Sequence, residues 1–138
     1  MRAFRQLTVC ALLATASCSD PKRHKVQDID PGGRGASYYL YRSGGTIDDF
    51  ITIELREQAE YVTLVSVSFC DSVSARRVGN KLEVIAFDAR LSVGRLDANT
   101  TAAQTELDMI VRNRAPTAHE RSKLTDEGFS TIRCAELG

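Results

Sequence analysis

Along most of the chain, apolar and polar positions alternate with period two, and little of it carries a helical period. Residues 50–55 (FITIEL) set Ile51, Ile53 and Leu55 on one face and Thr52 and Glu54 on the other, the alternation of a half-buried strand. Residues 61–69 (YVTLVSVSF) carry Tyr61, Thr63, Val65, Val67 and Phe69 on one side, with Val62 and Leu64 making the other side half apolar. A strand apolar on both sides belongs in the middle of a sheet. Residues 37–42 (SYYLYR) form an aromatic strand, and 81–87 (KLEVIAF) follow the turn-forming pair Gly79-Asn80. Segments 105–111 and 128–134 complete six predicted strands. Only residues 115–127, with Pro116 at their start, offer a helix, short and polar. Short strands separated by turn signals predict a mainly β fold: a small antiparallel sandwich or half-barrel with one short helix.

The first residues follow neither pattern. Arg2 and Arg5 precede an apolar run, 7–16 (LTVCALLATA), which ends in the small residues Thr15, Ala16 and Ser17. A basic start, about ten apolar residues and a small-residue exit make a secretory signal. The run is shorter than the roughly 20 residues that a membrane-spanning helix requires. Thr15-Ala16-Ser17-Cys18 resembles the bacterial lipobox, with Thr15 where Leu is commonest. That resemblance implies cleavage before Cys18, lipid on its sulfur and amino group, and a membrane anchor. Ser19 after the cysteine implies the outer membrane, facing the periplasm. Ala14-Thr15-Ala16 is an overlapping site for ordinary signal peptidase, which would release a soluble periplasmic or secreted product from Ser17.

Cysteine count favours the lipid. Of Cys10, Cys18, Cys70 and Cys134, the first leaves with the leader. Cutting after Ala16 exports three thiols into an oxidising compartment, one of them without a partner. Lipidating Cys18 leaves Cys70 and Cys134 to form a disulfide.

Residues 1–17 are therefore expected to be a signal peptide, 18–36 a lipidated cysteine with a flexible tether, and 37–138 a single β-rich domain. The tether contains Pro21, Pro31 and three glycines but only two aliphatic side chains, Val26 and Ile29. So little apolar surface does not offset ordering entropy, and a coil of about 17 residues spans roughly 20–25 Å. Lys22, Arg23, His24 and Lys25 form a basic knot beside the anchor, either drawn to anionic headgroups or simply solvated. The whole chain balances 18 basic against 18 acidic residues. Loss of Arg2 and Arg5 leaves the exported part slightly acidic, which does not favour nucleic acid as a partner.

Catalytic signals are weak. No G-x-S-x-G elbow or helical H-E-x-x-H is present. With two histidines and no C-x-x-C, neither metal nor cofactor is expected. Asp97-x-Asn99-x-Thr101 faintly echoes a calcium loop but has Ala102 where the turn needs glycine. Asp48-Asp49 reads as turn chemistry. An enzyme would have to be built on a Cys70 nucleophile with His119 as base, the alternative to a Cys70–Cys134 disulfide.

Interaction residues are more plausible. Three of the four tyrosines lie on one strand, with Tyr38 on one face and Tyr39 and Tyr41 on the other. Tyrosines at an exposed face favour interfaces, and the alternative is packing at the core edge. Arg76 and Arg77, with Arg112 and Arg114, form either a partner patch or a solvated rim. The motif YYLYRSGGT, from Tyr38 to Thr46, resembles small uncharacterised bacterial lipoproteins over residues 38–87, and that likeness implies no activity. The expected role is a non-enzymatic envelope lipoprotein that binds a protein or surface component. A periplasmic inhibitor or immunity protein is one form of that role.

Overall fold

Backbone pairing converts the alternating segments into two sheets packed over one core. The computed structural model describes residues 22–30, 35–42, 49–57, 60–68, 70–94 and 104–137. Within them the strands are β1 (Lys22–Asp28), β2 (Ala36–Arg42), β3 (Phe50–Glu57), β4 (Glu60–Ser68), β5 (Ser72–Val78), β6 (Lys81–Phe87), β7 (Arg90–Val93), β8 (Glu106–Arg112) and β9 (Ser130–Arg133). One helix, α1 (Ala118–Asp126), and a final 3-10 turn (Cys134–Leu137) complete the described elements. One sheet has the order β1-β2-β3-β4-β7 and the other β8-β6-β5-β9. Every pair is antiparallel except β6 with β8. The mainly β class with one short helix is as expected, in its sandwich form.

The core is the sum of the inward faces. Ile51, Ile53 and Leu55 from β3 meet Val73 and Ala75 from β5 and Leu82, Val84 and Ala86 from β6, all at most 5% exposed. Tyr38 enters from β2, fully buried, and its hydroxyl donates to the Ser130 carbonyl at 2.8 Å, linking the two sheets. Burial holds its hydroxyl pKa well above the ordinary value, so the group remains a donor. Gly79 takes φ +60° at the first central position of the two-residue β5–β6 turn, which glycine adopts without strain.

The tether over residues 18–36 needs correction. Lys22–Asp28 is a strand, paired with β2 from Lys22↔Arg42 to Asp28↔Ser37, so the folded domain begins before residue 37. Its composition hid it, because β1 presents almost no apolar stripe. Its hold comes from the backbone ladder, from Val26 and Ile29 reaching the core, and from Arg23 on the outer face. The two aliphatic residues counted as too few are both used.

Strands β5 and β7 also escaped the period-two reading. In β5 the inward positions are small, Val73 and Ala75, and β7 has only four residues. A bulge on β4 changes the expected face of Tyr61. Ile53 pairs with Val65 but Glu54 pairs with Thr63, leaving Leu64 as the extra residue. Tyr61 and Thr63 therefore share the outer face with Glu54, while Val65 and Val67 stay in the core.

Gly94 closes against this bulge, its N–H donating to the Leu64 carbonyl at 2.7 Å. A Cβ there would overlap the Thr63 carbonyl, with the Thr63 carbon 2.8 Å away. Backbone approach this close is a reason for glycine within a strand region. Gly94→Ala is expected to cost about 2 kcal/mol as β7 is pushed from β4, the usual scale of overpacking. Urea unfolding measures it, and a variant as stable as the wild type would refute the close approach.

Candidate functional site

The outer face of the five-stranded sheet carries a charged and aromatic cluster. Alternation places Tyr39 and Tyr41 of β2, and Thr52 and Glu54 of β3, on this face, where β1 adds Arg23. Glu54 is 2% exposed. Its Oε1 accepts from Arg23 Nε at 3.2 Å and Nη2 at 2.8 Å, and its Oε2 from the Tyr41 hydroxyl at 2.7 Å and Thr52 Oγ1 at 2.5 Å. The Arg23 guanidinium lies 3.7 Å from the Tyr39 ring centroid and 4.2 Å from that of Tyr61. Tyr39 and Tyr61 meet edge to face at 5.6 Å, and Tyr41 stacks on Phe50 at 4.9 Å.

Burial by itself would raise the Glu54 pKa, but hydrogen bonds from Arg23, Thr52 and Tyr41 outweigh it and hold the carboxyl below the usual range. Burial likewise opposes the charge on Arg23, and its bonds to Glu54 more than restore it. A carboxylate with four donors, under a guanidinium held between two rings, is a closed network with its polar groups satisfied.

Of the two readings open for Tyr39 and Tyr41, a partner-facing surface or packing at the core edge, their burial fits the second. Tyr39 is 5% exposed and Tyr41 half-buried, because Arg23 from the unforeseen first strand covers them. Tyr61, at 44%, is the exposed tyrosine of the cluster. Arg23 and Glu54 were both missed. The available signal was a lone acid on the polar side of an otherwise apolar strand, facing two tyrosines across a hairpin.

Arg76 and Arg77 do not form one patch either, since neighbouring strand residues face opposite ways. Arg76 pairs with Glu83, donates from Nη1 to the Glu127 carbonyl at 2.8 Å and lies 4.5 Å over the Phe129 ring. Arg77 Nε donates to the Gly79 carbonyl at 3.3 Å. Arg114 grips Glu120 at 2.6 and 3.0 Å. Glu120 in turn closes a capping box with Thr117 at the start of α1, and Arg114 first, with the cap, brings its pKa down to about 2.

Cys70 and Cys134 are brought side by side, their Cα atoms 5.8 Å apart, the separation of a disulfide. Asp71 and Cys134 are joined there by a backbone hydrogen bond of 3.0 Å. Cys70 is thus set against Cys134, while His119 is exposed on the first turn of α1. No group of three or more potential metal ligands occurs among the described residues. Cys18, Asp48 and the loop with Asp97, Asn99 and Thr101 lie outside the described residues.

One recess faces solvent with polar groups around it. It measures about 250 Å³ and lies between α1 and the outer face of the four-stranded sheet. Ser72, Ser74 and Thr131 line the sheet side, Arg121, Leu124 and Thr125 the helix side, and Arg133 with Glu136 the rim. Phe87, Leu124 and Phe129 form a small second core that holds the helix in place. Such a site can hold a small polar or anionic group by hydrogen bonds. No family model matches the chain, and comparison with curated proteins and with solved structures gave no match.

Proposed function

We propose that the chain is an envelope lipoprotein, anchored through lipid on Cys18, whose β-sandwich acts as a non-enzymatic binding or accessory module. The observation that carries this reading is the pairing of Cys70 with Cys134. It accounts for two cysteines as a disulfide suited to an oxidising compartment, and it leaves Cys18 as the exported thiol without a protein partner. Because β1 starts at Lys22, four residue steps of at most about 14 Å separate the anchor from the domain. The module is therefore held at the headgroups with little freedom to swivel. Tyr39, Tyr41 and Arg76 are engaged within the fold, so the recess under α1, with Arg121 and Arg133, is the better candidate for meeting an envelope protein or surface component.

Mass spectrometry of the intact protein extracted from membranes tests the anchor. The expected species begins at Cys18, carries the mass of its acyl chains and lacks the two hydrogens lost to a disulfide. A soluble product beginning at Ser17, or a Cys18→Ser chain that stays on the membrane, would overturn it.

A further inference from the structure

Strand β8 forms one end of the four-stranded sheet, and among the described residues no strand pairs with its outer edge. Ile110 and Val111 on this strand are 41% and 43% exposed. An exposed apolar edge strand is a template for pairing with another chain. The backbone directions are set: the Glu106 N–H bonds the Asn80 carbonyl at 2.9 Å, and the Arg112 carbonyl accepts from the Asp88 N–H at 2.7 Å. Residues 106 and 112 thus turn their backbone groups inward, and alternation turns those of Leu107, Met109 and Val111 outward.

We propose that β8 pairs with β8 of a second copy of this chain, antiparallel about a two-fold axis at Met109, making one continuous sheet across a homodimer. The strand reads Glu-Leu-Asp-Met-Ile-Val-Arg, and this register makes it self-complementary. Glu106 of each copy lies opposite Arg112 of the other, and Leu107 lies opposite Val111. The outward-facing backbone groups of 107, 109 and 111 meet as hydrogen-bonded pairs. Glu106 and Arg112 then fall at a non-hydrogen-bonded pair, where Cα atoms approach to about 4.5 Å and side chains are closest. Two-fold symmetry is the commonest closed arrangement and repeats each contact twice. The second copy also covers Ile110, which lines a second, separate recess with Ile85, Phe87 and Leu124. This inference does not depend on the lipid anchor.

Sedimentation of the purified protein over a range of concentrations tests it, with Arg112→Glu, Glu106→Arg and the double variant beside the wild type. The wild type is expected to show a reversible monomer–dimer equilibrium. Each single reversal places two like-charged pairs across the interface and weakens dimerisation by about tenfold or more. The double reversal restores the pairs and the affinity. Circular dichroism checks that all variants fold, which these exposed side chains permit. A wild type that stays monomeric, single reversals without effect, or rescue of Arg112→Glu by Asp108→Arg in place of Glu106→Arg overturns the pairing.

Discussion

Replacing Cys134 with Ser is expected to lower the unfolding free energy by about 4 kcal/mol. That figure follows from the loop-closure entropy which a disulfide removes from the unfolded chain, here across a sequence separation of 64. It is a large part of the 5–15 kcal/mol typical of small domains. The loss should fall first on β9, which pairs with β5 over four residues from Ser72↔Arg133 to Ala75↔Ser130. Hydrogen exchange is therefore expected to quicken at Thr131 and Ile132 before the inner strands β3 and β6 respond. Equilibrium unfolding in urea gives the magnitude, and reductant added to the wild type should reproduce it. If reductant leaves the wild-type midpoint in place, the cysteines do not staple the fold.

Arg23→Ala should cost about 3 kcal/mol, because it leaves the Glu54 carboxylate buried without its cation. The low end of the usual range applies, since the Arg23 side chain is 32% exposed and partly solvated. Arg23→Lys should recover only part of the loss. An ammonium neither forks onto Glu54 through two nitrogens nor spreads over the Tyr39 and Tyr61 rings. The pH dependence has a definite sign. The Glu54 carboxyl is held below its ordinary pKa in the fold, so its contribution is complete above the ordinary carboxylate value, about 4.3. It is lost as pH falls through the depressed native value. The difference between wild type and Arg23→Ala should therefore shrink in acid. A difference of the same size at neutral and acid pH would mean that Arg23 acts by packing alone.

Both predictions rest on edge strands, and these two were unequally legible. The β9 segment is legible as the strand expected over residues 128–134, which ends at a cysteine, and it forms over Ser130–Arg133. The β1 segment reads as tether because the stretch containing it is rich in proline and glycine and holds only Val26 and Ile29 as aliphatic side chains beside the basic run Lys22 to Lys25. A strand can be held by its ladder and one ion pair when a neighbour supplies the buried acid, and nothing local to β1 announces that neighbour. What lies over the candidate interaction residues was hidden for the same reason. Tyr39 and Tyr41 were correctly put on the face opposite Tyr38, but what covers that face comes from another strand. The recess beneath α1 was not foreseen, because its residues come from β5, β6, α1, β9 and the last turn, which are distant in sequence.

What the sequence determined by itself was whatever depends on neighbours along the chain. Alternation set β3, β4 and β6 and the core face of β3, and local composition marked β2 and β8 as strands. Thr117 and Glu120 form the helix start, and Gly79-Asn80 the turn. What only the tertiary structure decided was every matter of coverage and approach. The Leu64 bulge moves Tyr61 to the outer face, and Gly94 closes against it. Arg23 seals Glu54, Cys70 meets Cys134, and among the described residues β8 stands at the end of its sheet. Period-two patterning says which side of a strand is apolar. It carries no information about which distant side chain lies over the polar side, because that depends on strand order, and strand order is decided by the packing of the whole core.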